Sequence, residues 1–319
     1  MAVYTKITKH MLESFLENYD LGKLLSFIGI QEGVENTNYK LIMSTGSYIF
    51  TIFEKRVNEN ELPFFVELKN HLFKKNFLCP KPISNKDGIY INKIKNKPCL
   101  ITTFLNGKKV KFINELHCQQ LGKQIALMHI NTSDLKIFRE NNLSQNYWAK
   151  LFDNFKYNKN NKYKYMFKIV EEEINFLENN WPKKLPSGII HSDVFHDNVF
   201  FDNNFFSGII DFYFACYDFY SYELAICINA WCFNSQNKLD VSKSLALLHS
   251  YQNYRKISKI EQKTFPIVLR GAAMRFLLTR LNDSIFYKKK SYVKIKDPLE
   301  YFQILLFHKN NNTLSNFGF

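Results

Sequence analysis

Short apolar runs bounded by Gly, Asp and Asn follow one another between residues 187 and 215 of the 319-residue chain. Such runs are too short for helices and are typical of β-strands. Asp202-Asn203-Asn204 predicts a hairpin turn between two of these strands. With pairing centred on that turn, Asn198 faces Ile209, and Asp211 emerges just beyond the end of its partner strand.

Three polar side chains on these segments are expected to share one pocket. Asp193 lies on the loop that follows the Gly188-Ile-Ile190 strand, five residues before Asn198. The hairpin register puts Asn198 beside Asp211, and the carboxylate of Asp193 reaches the same position from the loop. We therefore predict that the three side chains converge.

This set of residues matches the needs of phosphoryl transfer from ATP. That reaction requires positioning, a Mg2+ ion on the phosphates and a carboxylate that accepts the proton of the attacking hydroxyl. In a kinase catalytic loop an Asp is followed five residues later by an Asn, and a metal-binding Asp lies on a later strand. Asp193, Asn198 and Asp211 follow this order, with His191 two residues before Asp193. Each alone is an ordinary turn former, but the ordered set favours catalysis, with Asp193 as the base and the other two as metal ligands.

The same residues resemble a known family. His191-Ser-Asp193 with Asn198, Ile210-Asp211-Phe-Tyr-Phe-Ala215 and Glu223-Leu-Ala225 are similar to motifs of the aminoglycoside phosphotransferase and choline kinase superfamily. The resemblance implies a two-lobed, protein-kinase-like α/β (α+β) fold, with a small antiparallel-sheet N-terminal lobe and a larger, mainly helical C-terminal lobe. It also implies ATP and Mg2+ as cofactors and an alcohol group as acceptor. In this family the position of His191 is a scaffold that orients the catalytic loop.

Further segments, spread nearly end to end, resemble the branch of the superfamily that phosphorylates the hydroxyl of L-homoserine in threonine biosynthesis. They are Met1-Ala-Val-Tyr-Thr5, Gly33-Val-Glu-Asn36-Thr-Asn38-Tyr39, Glu54-Lys-Arg56, Leu62-Pro-Phe-Phe65, Asn229-Ala-Trp-Cys-Phe233 and Arg270-Gly-Ala-Ala-Met-Arg275-Phe-Leu-Leu-Thr-Arg280-Leu281. The expected partner is therefore a small-molecule substrate, L-homoserine, and the expected product is O-phospho-L-homoserine.

Such a substrate carries a carboxylate and an ammonium group, and each needs a complement. Arginine binds carboxylates in bidentate fashion, and Arg275 is the candidate for this role. Asp218 and Glu223 follow Asp211 closely and are the candidates for the ammonium. An alternative stays open for all three: Arg275 can pair with acidic residues, and the two acids can support the catalytic loop.

The N-terminal lobe departs from the usual pattern where a phosphate-covering loop is expected. The turn at residues 31–38 has one glycine, Gly33, rather than the three of GxGxxG. Its backbone N–H groups can still bind phosphate, so Gly33, Asn36 and Asn38 are candidate nucleotide contacts. An ordinary hairpin turn is the alternative.

A second departure concerns the lysine expected on the third strand, where this chain has Thr51. The nearest cations are Lys55 and Arg56, and Lys55 is the candidate to reach the phosphates; a solvent-facing strand end is the alternative. The last strand of this lobe runs into a linker whose backbone, in the family, holds the adenine. Thr103 and Phe104 are the candidates there.

The last predicted strand of the first lobe ends at about residue 104, and from about residue 114 onward the spacing of apolar residues is typical of helices. We therefore predict an ATP-binding N-terminal lobe at 1–104 and a catalytic and substrate-binding C-terminal lobe at 105–319. Predicted strands lie at about 26–31, 37–43, 47–54, 89–93 and 98–104. Predicted helices lie at about 7–25 (with Thr8 as N-cap), 59–75, 114–130, 145–180, 218–232, 240–254, 259–284 and 297–307.

Composition bears on the remaining function classes. The net charge of +14 comes largely from Lys mixed with Asn and Tyr, as in Lys156–Tyr165, which favours a solvated surface over a nucleic-acid site. Charged residues interrupt every apolar run before it reaches membrane-spanning length, and the chain opens without an apolar leader. We expect a cytoplasmic protein with no nucleic-acid or membrane partner, either a monomer or a homodimer.

Three alternatives remain. A sister kinase would act on choline, an aminoglycoside or a sugar hydroxyl, and would favour cations that lack a carboxylate. A nucleotide-binding pseudokinase is supported best by the missing third-strand lysine and would bind Mg-ATP without producing ADP. A basic nucleic-acid binder would instead show association that depends steeply on salt.

Overall fold

The computed structural model describes residues 5–31, 36–54, 58–158, 162–286, 296–311 and 313–319. Contacts divide the chain into two compact units. Unit 1 contains Met1–Gly107 with two later segments, Leu135–Ile137 and Ser207–Tyr213. Unit 2 contains the rest of the chain, from Lys108 to Phe319.

Unit 1 is built on an antiparallel sheet. Its strands are β1 (Leu24–Ile30), β2 (Thr37–Met43), β3 (Gly46–Ile52), β4 (Pro82–Ile83), β5 (Asn92–Ile94) and β6 (Lys97–Thr103). They are arranged in the order β1-β2-β3-β6-β4, with β5 also paired to β6. Its helices are α1 (Lys9–Leu16) and α2 (Leu62–Lys74).

Alternation along β2 shows why this sheet buries one face. Thr37, Tyr39, Leu41 and Met43 are buried, and the residues between them are less so, as the period of two requires. Leu12 and Leu16 of α1 belong to the same apolar core, as do other buried residues of β1, β3 and β6. The predicted cap of α1 is confirmed, because the Thr8 side chain accepts a hydrogen bond from the N–H of Met11 (3.3 Å).

The late segment Ser207–Tyr213 is tied into unit 1 by hydrogen bonds. The N–H of Ile209 donates to the carbonyl of Leu78 (3.1 Å), and the Ser207 hydroxyl donates to the carbonyl of Asn106. Gly208 has a φ of +151°, and a Cβ built there would lie 2.6 Å from the Leu78 oxygen. Only glycine satisfies both the backbone angle and the close approach.

Unit 2 is mainly helical. Its helices are α3 (Glu115–Asn131), α4 (Gln145–Asp153), α5 (Phe167–Asn180), α6 (Tyr220–Trp231), α7 (Val241–Gln252), α8 (Lys259–Phe286) and α9 (Pro298–Asn310). Helix α3 packs on α7, and α8 packs on α4, α6 and α9. Within the described ranges, no helix combines the length and the apolar character needed to cross a membrane.

Short strands interrupt these helices. They are β7 (Lys108–Lys109), β8 (Ser187–Ile190), β9 (Val199–Asp202), β10 (Phe205–Ile209) and β11 (Cys216–Phe219). Strand β8 pairs with β11, and β9 pairs with β7. The predicted hairpin is confirmed: β9 and β10 are neighbours in a sheet, and Asn203 and Asn204 in the turn have positive φ angles of 46° and 67°.

Some predicted boundaries are wrong. The helix predicted at 7–25 ends at Leu16, because Asn18, Asp20 and Gly22 are turn formers and Gly22 has a φ of +73°. The helix predicted at 145–180 is two helices, because α4 ends at Asp153 and α5 begins at Phe167. The start of the helix predicted at 218–232 belongs instead to β11, whose pairing with β8 is a long-range contact that a local pattern does not contain.

Close packing of α3 on α7 depends on Gly122, because a Cβ at this position would lie 2.1 Å from the carbonyl oxygen of Leu247. We predict that Gly122→Ala lowers the free energy of unfolding by roughly 1–3 kcal/mol, as the helices must separate to accept the methyl group. Urea unfolding measures this change. Gln119→Ala, at an exposed position of the same helix, is the control and should be close to neutral; equal effects of the two substitutions would contradict the prediction.

Candidate active site

The loop after β8 brings Asp193 and Asn198 together. The Asn198 amide nitrogen donates to the backbone carbonyl of Asp193 (2.9 Å) and to its carboxylate oxygen Oδ2 (3.1 Å). Two further bonds close the loop: Phe195 N–H donates to the Asp193 carbonyl (2.8 Å), and Asn198 N–H donates to the Phe195 carbonyl (2.9 Å). The pair predicted from the sequence spacing is therefore adjacent, and Asn198 orients the Asp193 carboxylate.

The start of this loop is held by Glu223 at the beginning of α6. The backbone N–H groups of His191 and Ser192 both donate to the Glu223 carboxyl group, which is completely buried. Burial raises the pKa of Glu223 to about 8, and the two backbone hydrogen bonds and Arg275 act in the opposite direction. Since both oxygens of Glu223 are engaged, the structure places it as a support of the loop, the alternative role, rather than at a substrate ammonium.

His191 has the scaffold geometry that the family resemblance implies. Its side chain is fully buried, and its Nδ1 atom accepts a hydrogen bond from the N–H of Asp193 (3.2 Å). Ser192, between the two residues, has a φ of +66°, an uncommon conformation for a residue with a side chain. His191 thus holds the backbone around Ser192, the residue with the positive φ angle, in the conformation that positions Asp193.

Arg275 of α8 holds the same loop from another side. Its side chain is 2% exposed, and its NH1 atom donates to the carbonyl of Ser192. The guanidinium lies 4.3 Å from the ring centroid of Phe276 and 5.5 Å from that of Phe214. Within the described residues, the Nε atom of Arg275 has no hydrogen-bond partner.

Asp218 of β11 is a buried acceptor in unit 2. Its carboxylate accepts hydrogen bonds from the amide of Asn141 (2.6 Å) and from the N–H of Phe219 (2.7 Å). Burial raises the pKa of Asp218, and these hydrogen bonds oppose the shift. These hydrogen bonds come from Asn141 and from the backbone of Phe219 rather than from the catalytic loop, and the contact of Asp218 with an ammonium group stays a prediction.

Unit 1 contains a buried cation that the sequence pattern did not single out, and Asp211 interacts with it electrostatically. Lys69 of α2 is 5% exposed, and its Nζ lies 5.5 Å from the ring centroid of Tyr213. Burial lowers the pKa of Lys69 to about 8, while Cys79 and Asp211 raise it. One signal was present: Lys69 follows Phe65 by four residues and precedes Leu72 by three, so it interrupts the apolar face of the helix.

Thr51, in the place of the expected lysine, is part of the same region of unit 1. Its hydroxyl donates to the side-chain oxygen of Asn38 (2.7 Å) and hydrogen-bonds with Tyr213. Asn36 is buried, and its side-chain oxygen accepts the N–H of Glu54 (3.3 Å). Both asparagines thus make hydrogen bonds that order the sheet, while the predicted contacts Gly33 and Lys55 lie outside the described residues.

The predicted adenine linker already uses its backbone donors. The N–H of Thr103 donates to the carbonyl of Lys81 (2.9 Å), and the N–H of Phe104 donates to the carbonyl of Ser47 (3.1 Å). The Nζ of Lys40 lies 3.8 Å from the centroid of the Phe104 ring. These two N–H groups are therefore already engaged within unit 1.

Comparison with known proteins identifies the family. The family model described as the phosphotransferase enzyme family (APH) matches residues 26–259. The chain belongs to the phosphotransferase enzyme family. Its curated relatives include a homoserine kinase of Parvibaculum lavamentivorans, 42% identical over 100% of this chain and 99% of the relative. A homoserine kinase of Bartonella henselae is 43% identical over the full length of both.

Solved structures show the phosphotransferase fold, and the predicted mixed α/β fold class is confirmed. Amicoumacin kinase hAmiN has a TM-score of 0.73 at 15% identity and covers 95% of this chain and 93% of its own. Choline kinase from Cryptosporidium parvum has a TM-score of 0.70 at 14% identity, with 95% and 96% coverage. This phosphotransferase is thus an ATP-dependent kinase that acts on a hydroxyl group.

The buried charge of Lys69 should oppose folding in a pH-dependent way. Because its pKa falls from roughly 10.4 in the unfolded chain to about 8 in the folded protein, the charged form destabilises the fold in full below pH 8. This effect disappears as the pH rises toward roughly 10.4, where the unfolded chain also loses the proton. We predict that Lys69→Met increases the free energy of unfolding by roughly 3 kcal/mol at pH 7, and by much less at pH 10.

Urea unfolding of the protein without nucleotide or metal, at both pH values, measures this difference. Lys74→Met, at an exposed position of the same helix, provides the control for the gain in apolarity. A gain for Lys69→Met that does not change with pH would show that packing, rather than charge, is responsible.

Proposed function

We propose that this phosphotransferase transfers the γ-phosphate of ATP to the side-chain hydroxyl of L-homoserine, giving O-phospho-L-homoserine for threonine biosynthesis. The observation that carries the acceptor is the 42–43% identity to curated homoserine kinases over the whole chain. The ordered pair of Asp193 and Asn198 supports the phosphoryl-transfer chemistry.

Asp193 accepts the proton of the attacking hydroxyl. Its carboxylate is oriented by the Asn198 amide, and its backbone is fixed by His191, so little reorganisation is needed when the acceptor arrives. Glu223 and Arg275 hold the preceding residues from inside unit 2. Because the Asp193 carboxylate is already held in position, the protein does not have to reorganise it before proton transfer.

Asn198 and Asp211 are the residues that would hold Mg2+. Both hydrogen bonds of the Asn198 side chain use its nitrogen, so its oxygen is the atom that can bind a cation. Amide and carboxylate oxygens are the ligands that Mg2+ prefers. When bound, the ion offsets negative charge on the phosphates. The amicoumacin kinase structure, a complex with AMP-PNP and Ca2+, supports a divalent ion with the nucleotide. The approach of Asp211 to Asn198 stays a prediction from the hairpin register.

The remaining assignments follow from the reaction. Use of ATP and of a free amino acid supports a cytoplasmic location. The proposed oligomeric state is a monomer or a homodimer. The positive charge of the chain can attract an anionic nucleotide. The roles of Gly33, Asn36, Asn38, Lys55, Thr103 and Phe104 toward the nucleotide remain proposals of the same kind.

Substitution of the base tests the mechanism. We expect Asp193→Asn to lower kcat roughly 10²–10⁴-fold, the usual contribution of a positioned acid or base, without changing ATP affinity. Coupled ADP detection measures turnover, and titration with a nonhydrolysable ATP analogue measures binding. Asp202→Asn, at an exposed position of the nearby hairpin, makes the same chemical change as a control. Near-normal turnover of Asp193→Asn would exclude its role as the base.

A panel of acceptors tests the substrate. L-Homoserine should give the highest kcat/KM, above choline, aminoglycosides and sugars, because curated homoserine kinases are 42–43% identical to this chain over its whole length. Preference for choline or an aminoglycoside would assign the chain to a sister activity. Mg-ATP binding without ADP production from any acceptor would indicate a pseudokinase.

A further inference from the structure

Helix α2 carries a buried positive charge that has no part in the proposed reaction. Lys69 is 5% exposed and lies on the helix face that carries the apolar side chains of Phe65 and Leu72. Burial of an ammonium group is unfavourable, because the group loses its contact with water. Costly buried charges are concentrated at functional sites, so the surroundings of Lys69 indicate what this charge does.

Hydrogen bonds place Lys69 next to the segment that carries Asp211. The Cys79 thiol donates to the Lys69 carbonyl (3.8 Å). The carbonyl of Leu78, the preceding residue, accepts the N–H of Ile209 (3.1 Å). These two residues therefore connect α2 to the end of β10, two residues before Asp211, and all of them belong to unit 1.

Tyr213 connects Lys69 to the third strand, where a kinase normally carries its phosphate-binding lysine. The Nζ atom of Lys69 lies 5.5 Å from the centroid of the Tyr213 ring, and the Tyr213 hydroxyl hydrogen-bonds with Thr51. The Thr51 hydroxyl in turn donates to the side-chain oxygen of Asn38 (2.7 Å). The usual position on β3 is therefore uncharged and engaged with neighbours, and the ammonium of Lys69 lies one tyrosine ring away from it.

The exposure of Asp211 differs from that of Lys69. Asp211 is exposed, so a metal ion and phosphate groups can reach it, whereas Lys69 is buried and interacts with it electrostatically. Charges attract more strongly where water is excluded. Lys69 can therefore act on the Asp211 carboxylate from within the protein while the carboxylate stays accessible to ligands.

Other buried cations of the chain have a carboxylate in direct contact. Arg270 pairs with Glu173 (2.6 Å), and Lys97 of unit 1 pairs with Glu54. In the described part of the chain, Lys69 forms no ion pair of this kind, and its interaction with Asp211 acts over a longer distance. The charge of Lys69 is thus compensated less closely than these, and a further anion near Asp211 would be attracted to it.

We propose that Lys69 replaces the missing lysine of the third strand: from α2, its charge positions the Asp211 carboxylate and favours binding of the phosphate groups of ATP. It is a positioning residue, since it acts through Asp211. The proposal rests on the proposed function for the role of Asp211 toward Mg2+, but it does not depend on the identity of the acceptor. It also gives the stability that Lys69 costs a counterpart in nucleotide binding.

Comparison of AMP-PNP with adenosine, which shares its base and ribose but has no phosphate, tests the role of the charge. Titration calorimetry in the presence of Mg2+ should show that Lys69→Met weakens AMP-PNP binding at least tenfold. This is the size of a unit-charge interaction at about 10 Å in an effective dielectric of about 20. Adenosine binding should stay unchanged. Because Lys69→Met is expected to stabilise the fold, unfolding does not explain a loss of binding.

Two further variants separate this role from a general effect of charge. Lys74→Met removes the same charge from an exposed position of the same helix and should leave AMP-PNP affinity within about twofold, because water and salt screen exposed charges. Lys55→Met tests the cation that the sequence pattern suggested. A loss of AMP-PNP affinity in Lys55→Met but not in Lys69→Met would overturn the proposal, as would a loss in Lys69→Met that is equal for AMP-PNP and adenosine.

Failure of the proposed function would look different. Wild-type protein that does not phosphorylate L-homoserine would disprove the assigned acceptor, but it would leave both nucleotide affinities measurable. A selective loss of AMP-PNP binding in Lys69→Met would then still support the role of Lys69. Unchanged AMP-PNP affinity in this variant would overturn that role even if L-homoserine is the substrate.

Discussion

The buried carboxyl group of Glu223 is the contact on which the arrangement of the catalytic loop depends. Burial of an acidic group is unfavourable unless hydrogen bonds compensate for the lost water. Here the N–H groups of His191 and Ser192 supply that compensation, and Arg275 adds a nearby positive charge. The same hydrogen bonds satisfy the N–H groups of His191 and Ser192, which directly follow the end of β8. One side chain therefore allows the loop to turn sharply and to present Asp193.

Helix α8 distributes three arginines among different tasks. Arg270 and Arg280 join α8 to α5 and α9 through Glu173 and Glu300, so they serve the packing of unit 2. Arg275 instead reaches the loop beside Asp193. Residues five apart on a helix do not share a face. Arg275 therefore has different neighbours from Arg270 and Arg280. The Arg270–Glu173 pair is buried, so the cost of removing both charges from water offsets much of their attraction.

Local sequence patterns predicted much of this molecule. The alternation in β2, the turn at Asn203-Asn204 and the spacing of Asp193 and Asn198 all depend on neighbours in the chain, and each was predictable. The sites that were not predicted depend on distant partners. Lys69 is distinguished by its burial and by the nearby Tyr213 and Asp211, which come from a segment far along the chain. The supporting role of Glu223 was one of two alternatives in the sequence, and only two N–H groups more than thirty residues earlier show that it supports the loop. The pairing of β11 with β8 is of the same kind.

The membership of Ser207–Tyr213 in unit 1 has a consequence for biosynthesis. The ring of Tyr213 packs edge-on against Phe53 and Phe65, with ring centroids 5.2 and 5.4 Å apart. Both phenylalanines leave the ribosome long before Tyr213 is made. N-terminal domains generally fold first during translation, but unit 1 lacks part of its interior until residue 213 has been made. Until then the nascent protein carries an N-terminal unit whose strands and helices are all synthesised but whose Phe53 and Phe65 rings lack their Tyr213 neighbour, with aromatic surface open to chaperones.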